Sequence, residues 1–205
     1  MHGPSTRRGV VAAAAVALAG CTGAVDGGES PTTTGPAGDG TTASNPVVGD
    51  VTQSGDLRLT SPAFEDGEPI PRKYGYDAEN VNPPLVVEDV PADATTLTLV
   101  MDDPDAVEPA GEVWLHWLVW TIPAGTTSIP EDWTPEAASE GVNDFDERGY
   151  GGPAPPDEAH TYRFKLYALD TTLDVPEDAS KRDVGRAMRD HVLAQTQLTG
   201  TYAPS

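Results

Sequence analysis

The chain has 205 residues and a formal net charge of −21, with 33 acidic side chains against 12 basic ones. An acid excess of this size argues against sequence-independent nucleic-acid binding, which needs a basic face. A single cysteine excludes an intramolecular disulfide and any Cys-rich metal site, and 21 glycines with 20 prolines argue against a long helical bundle. Self-repulsion at this charge opposes compaction in dilute buffer, whereas at 1 M salt the Debye length falls to about 3 Å. The balance reads as adaptation to a salty milieu.

The N-terminus reads as an address. Arg7 and Arg8 precede an Ala-rich apolar run over residues 10–18, too short for a bilayer span of about 20 residues but of signal-peptide length. It ends in Leu18-Ala19-Gly20-Cys21, which resembles a lipobox, and the paired arginines resemble a twin-arginine export signal. Residues 1–21 are thus expected to be a signal peptide with lipobox, with Cys21 as the lipid attachment site. Residues 22–56, rich in Thr, Ser, Gly and Pro, are expected to form a disordered linker, because they bury too little apolar surface to offset ordering entropy.

A single domain is expected over residues 57–205, mainly β with a minor helical part. Alternation begins at Leu57-Arg58-Leu59-Thr60. Residues 96–101 form a clear strand with Leu97, Leu99 and Met101 on one face. Residues 113–120 are apolar on both faces and predict a central strand. Turn-rich stretches at Asn82-Pro83-Pro84, Asp103-Pro104-Asp105 and residues 149–156 separate the strands, and residues 162–169 alternate strictly. A C-terminal helix is predicted from a capping box at Ser180 and Asp183. Val184, Met188, His191 and Val192 follow at helical spacing, and Gly200 lies just past the expected end.

Polar groups stand where burial is costly. His116 lies in the most apolar strand and needs a partner for at least one ring nitrogen. Asp103 sits where the 96–101 strand ends and can accept from an imidazole, fixing its tautomer. His160 and Tyr162 open the last long strand. The preceding loop, with Gly149, Gly151, Gly152 and Pro153, lets backbone N–H groups approach a ligand and make an anion nest.

Taken together, these residues resemble the phosphatidylethanolamine-binding protein family, in its bacterial and archaeal branch of Raf-kinase-inhibitor-like proteins. The resemblance runs through Ser61-Pro62-Ala63-Phe64, Ile70-Pro71-Arg72-Lys73-Tyr74, Asn82-Pro83-Pro84-Leu85 and Asp102-Asp103-Pro104-Asp105-Ala106. It continues through Trp114-Leu115-His116-Trp117, Gly141-Val142-Asn143-Asp144-Phe145, the 149–156 loop and His160-Thr161-Tyr162-Arg163-Phe164. It implies antiparallel β-sheets with peripheral helices and a small anion pocket for phosphate, acetate or a phosphoethanolamine head group. The implied ligand-binding residues are Asp103, His116, Gly152, Pro153, His160 and Tyr162, without metal or cofactor. Family relatives often carry Cys where this chain has Tyr76 and Ala154, and a basic residue where it has Thr161.

The expected function is a noncatalytic binding module, lipid-anchored on the extracytoplasmic face of the cell membrane. The alternative is a regulator or inhibitor of a partner protein, a kinase or a protease. The globular part has no Cys, Gly-x-Ser-x-Gly or His-Glu-x-x-His, which argues against an enzyme. A metal cluster of Asp102, Asp103, Asp105 and His116 is the weakest reading. The salt reading predicts that the domain loses stability below molar salt. Thermal unfolding across a salt series checks this, and a domain that stays folded in dilute buffer at neutral pH contradicts it.

Overall fold

The computed structural model describes residues 52–204. The expected signal peptide, the Cys21 lipobox and residues 22–51 of the expected linker lie outside the described residues. Eight strands and two short helices follow in order: β1 (Arg58–Thr60), β2 (Leu85–Glu88), β3 (Thr96–Asp103), α1 (Val107–Ala110), β4 (Trp114–Pro123), β5 (Ser128–Ile129), β6 (Ser139–Glu140), β7 (His160–Leu169), α2 (Lys181–Ala187) and β8 (Val192–Tyr202). All pairings of these strands are antiparallel. A small sheet has the order β1-β2-β5 and a large one the order β6-β4-β3-β7-β8. The fold is therefore mainly β with minor α, as its alternating segments predict.

The large sheet is buried on both faces. Leu97, Leu99 and Met101 of β3 join Trp117, Val119, Phe164 and Leu166, and with Leu59, Leu85 and Val87 of the small sheet they form one core. On the other face Val100, Leu118, Trp120, Tyr167 and Leu169 pack with Val184 of α2 and with Met188 just past its end. Every residue of β3 is buried, so β3 is the central strand. β4, expected to be a central strand, lies inside the sheet, paired with β3 on one side and with the two-residue β6 on the other.

Two register shifts interrupt the β3–β4 pairing. Leu97 pairs with Ile122 and Leu99 with Val119; Met101 pairs with Trp117 and Asp102 with Leu115. The second shift leaves His116 as the extra residue of a β-bulge. A bulge re-aims a side chain that strict alternation would send elsewhere.

The C-terminal helix is shorter than its spacing suggests. Its capping box is present, with Ser180 Oγ accepting from the Asp183 amide and the Asp183 carboxylate accepting from the Ser180 amide. The helix ends at Ala187, and Asp190 turns the chain with φ 69°. His191 is therefore not a packed helix residue. It precedes β8, where Ala194, Thr196, Leu198 and Tyr202 are buried at strand period. Gly200 is not a helix stop either: a Cβ there would lie 2.6 Å from Ile70 Cγ1, so the position serves close packing.

Beneath α2, three cations surround one carboxylate. Asp102 accepts from Arg163 Nε at 2.8 Å, Lys165 Nζ at 2.7 Å and Lys181 Nζ at 3.0 Å. Asp102 and Lys165 are fully buried. Burial alone would raise the Asp102 carboxyl, but Lys181, Lys165 and Arg163 outweigh it and hold it below the usual range. Burial pulls the Lys165 ammonium down to about 8 against the pull of Asp102. Because the Asp102 carboxyl is depressed in the folded state, its stabilisation is present above the unfolded carboxylate range and is lost on acidification. Asp102→Asn removes an anion bonded to three cations and is expected to cost about 3–5 kcal/mol in urea unfolding at neutral pH.

Candidate functional site

The end of β3, α1, the bulge of β4 and the 143–156 loops converge on one cavity. It has a volume of about 220 Å³. Asp103, His116, Trp114 and Phe145 line one part of it, and Ala106, Pro109, Ala110, Ala154 and Pro156 complete the wall. The cavity is a mostly apolar box with two polar groups set into it.

His116 is buried, and its Nδ1–H donates to the Gly151 carbonyl at 2.7 Å. The neutral ring then carries its proton on Nδ1, leaving Nε2 as an acceptor at the cavity. Phe145 and Tyr162 clamp the ring edge-on at 5.4 and 5.1 Å. Burial pushes its pKa down to about 4, although the carbonyls of Gly151 and Gly152 and the Asp103 carboxylate pull the other way.

Asp103 is held from three sides. Its Oδ1 accepts from the amides of Asp105 and Ala106 at 2.9 and 3.2 Å, which starts the turn into α1. Its Oδ2 receives His160 Nδ1 at 2.7 Å, while His160 Nε2 meets Asp157 Oδ1 at 3.0 Å. With a carboxylate oxygen on each ring nitrogen, His160 is held as an imidazolium. Burial lowers its pKa, but Asp103 and Asp157 outweigh burial and raise it overall.

Of the six expected ligand-binding residues, Asp103 and His116 lie in the cavity wall. Tyr162 stands directly beside it. Its hydroxyl is buried without a hydrogen-bond partner, and burial followed by the Asp103 charge pushes its ionisation upward. The other three support the wall. Both His160 nitrogens are taken by Asp103 and Asp157. The Gly152 amide donates to Asn80 Oδ1 at 2.8 Å, and Pro153 has no N–H; its carbonyl accepts from the Tyr76 amide at 3.0 Å. The Gly151 amide donates to the His116 carbonyl at 2.9 Å. The glycine loop is thus no open nest at these positions. A Cβ on Gly152 would lie 2.3 Å from the Tyr74 carbonyl oxygen, so glycine there allows two backbones to touch.

The apolar wall carries no mark of its own in the sequence. Trp114 and Phe145 were legible only as neighbours of the polar motifs. Trp114 Nε1 is, like the Tyr162 hydroxyl, buried without a partner. Phe145 is fixed by Asn143, whose Oδ1 accepts from the Phe145 and Glu147 amides and whose Nδ2 donates to Gly149. Tyr76 stacks on Phe145 at 4.2 Å, and Ala154 is in the wall, so both positions where relatives often carry Cys border this site. The imagined metal set does not converge, since Asp102 faces the cations under α2. Among the described residues no group of three or more His, Cys, Asp or Glu is placed to hold a metal ion.

The profile of the phosphatidylethanolamine-binding protein family matches residues 60–203. A UPF0098 protein of Methanothermobacter thermautotrophicus is 43% identical over 151 residues, covering 71% of this chain and 98% of its own length. The crystal structure of a phosphatidylethanolamine-binding protein homologue from Chlamydia trachomatis superposes with a TM-score of 0.70 at 37% identity, covering 74% of this chain and 100% of the other. The Escherichia coli protein YbcL, described as a member of the mammalian family, gives a TM-score of 0.67 at 30% identity, covering 73% and 99%.

The two buried histidines are expected to titrate in opposite directions. His116 favours the neutral ring, so its stabilisation is present above the unfolded value near 6.5 and is lost as pH falls toward about 4. His160 favours the charged ring, so its stabilisation is full below 6.5 and is lost as pH rises through its elevated folded value. Imidazole NMR titration checks this; equal midpoints for the two rings would contradict it.

Proposed function

Because the chain belongs to the phosphatidylethanolamine-binding protein family, we propose that it is a noncatalytic binding module. Its cavity holds a small phosphate- or carboxylate-bearing ligand or a phospholipid head group, and a lipid anchor at Cys21 displays it on the outer side of the membrane. The observation that carries this reading is a set of unmatched polar groups around one cavity. The buried Tyr162 hydroxyl, close to the Asp103 carboxylate, and the Trp114 indole N–H make no well-aligned hydrogen bond, and the bare His116 nitrogen faces the same space. A buried donor left unpaired costs about 1–3 kcal/mol, which a ligand oxygen recovers. Two donors and one acceptor suit an acid group better than a hydrocarbon.

The volume supports a small guest. About 220 Å³ lies below the range of roughly 300–1,000 Å³ usual for drug-sized ligands. An acid group with a short substituent fits; a whole lipid does not, so a lipid would enter by its head group alone. The rigid wall also suits binding without large rearrangement. Gly152 is locked against Tyr74, and Asn143 fixes the loop that carries Phe145.

Titration with acetate, phosphate and phosphoethanolamine, followed by chemical shifts of His116, Phe145 and Ala154, tests the reading. Saturable shifts are expected for at least one ligand, and His116→Ala is expected to weaken binding by about tenfold or more, the order of one buried hydrogen bond. No shift with any of the three overturns it.

A further inference from the structure

Among the described residues, no lysine or arginine lines the cavity. Its one charged wall residue is already compensated, since Asp103 faces His160 and two backbone amides. The adjoining hollow of about 380 Å³ is lined by Asp105, Glu108, Asp157 and Glu158. A fully ionised acid entering here meets acidic neighbours, and the cation at hand, the His160 ring that also borders the hollow, is already shared between Asp103 and Asp157.

The polar groups that remain are matched to a different form of the ligand. His116 faces Asp103 from β3, Tyr162 from β7, Phe145, and the carbonyls of Gly151 and Gly152 from the loop, while the charge of Asp102 reaches it from the far side of the sheet. The Gly151 carbonyl holds the Nδ1 proton, so Nε2 is the acceptor left for a guest. Nearby, the Tyr162 hydroxyl stands within reach of the Asp103 carboxylate and the Ala154 backbone but makes no well-aligned hydrogen bond to either. One acceptor and one donor side by side are complementary to a group with one donor and one acceptor. An undissociated carboxylic acid has both on adjacent atoms, and so does a primary amide. A carboxylate has acceptors alone.

Building on the reading of this cavity as a ligand site, we propose that it takes an acid together with one proton. The acid O–H donates to His116 Nε2 and the second oxygen accepts from Tyr162. Carboxylate, one solvent proton and the neutral site combine into a complex with no net charge added. The count is the same whether the proton rests on the acid oxygen or on Nε2. Burial that keeps His116 neutral in the empty site sharpens the coupling, because the proton is absent until the anion arrives with it. The preferred class is therefore weak acids and their amides, ahead of permanently charged anions.

Chemical-shift titration of the full chain with acetate and acetamide between about pH 6 and 8 tests this. In that window both acetate and His116 are unprotonated when apart. The dissociation constant for acetate is expected to rise about tenfold per pH unit, the signature of one proton taken up. Acetamide, which brings its own N–H, is expected to bind with a flat profile and to compete with acetate. His116→Gln, whose amide donates without gaining a proton, is expected to flatten the acetate profile while still binding acetamide. Saturable acetate binding with a flat wild-type profile overturns the proton coupling and leaves the binding site standing, as does acetate binding without competition by acetamide. No binding of either probe at any pH, with phosphate also silent, overturns the binding site as well. If His116→Gln does not fold, the wild-type slope decides alone.

Discussion

Asp102 and Asp103 leave water together at the end of β3 and face opposite sides of the sheet. A buried carboxylate is tolerated only when it is paired and hydrogen-bonded, so each dictates what must surround it. Toward α2, Asp102 gathers Arg163, Lys165 and Lys181, tying β7 and the helix to the central strand. Toward the cavity, Asp103 takes two amides of the turn into α1 and one nitrogen of His160. The position of α1, the start of β7 and the orientation of His160 all follow from this pair.

The cavity is what remains once those demands are met. Charge is handled in its frame, and its interior is left to aromatic rings, prolines and alanines, with single hydrogen-bonding atoms between them. This division separates the molecule's large net charge from its site chemistry. The acids cover the surface and crowd the neighbouring hollow, while the hydrogen-bonding atoms at the cavity without a well-aligned partner belong to His116, Tyr162 and Trp114. An acidic exterior lowers the local concentration of anions, and the hydrogen-bond pattern inside suits the form of an acid that carries no charge. On the proposed reading of the cavity, the two features favour the same guest.

Much of this was legible in the sequence. Alternation marked β3 and β7, the apolar run marked β4, and costly polar residues in apolar surroundings pointed to Asp103 and His116. Two kinds of feature were not. The bulge at His116 is a property of the pairing between two strands, and neither strand alone records it. The roles of Gly152 and His160 depend on partners far away in the chain, Asn80 and Tyr74 for one and Asp103 for the other. Loop composition suggested an open nest, but long-range hydrogen bonds close it. Near the C-terminus a short helix and a strand share apolar residues whose spacing mimics one longer helix. Only the alternation after Asp190 separates them, and Gly200 misleads because a packing glycine and a helix-ending glycine look alike.

The paired register shifts between β3 and β4 have a consequence for how the chain finds this arrangement. Between them lie three matched pairs, Leu99 with Val119, Val100 with Leu118 and Met101 with Trp117. Sliding β4 by one residue would exchange the two faces of the sheet and bring His116 into the layer under α2. Such a slip would have to move two bulges at once and bury an imidazole away from its Gly151 acceptor. The irregularities therefore act as alignment marks during strand pairing, and the feature that aims His116 into the cavity also guards against misassembly of the central strands.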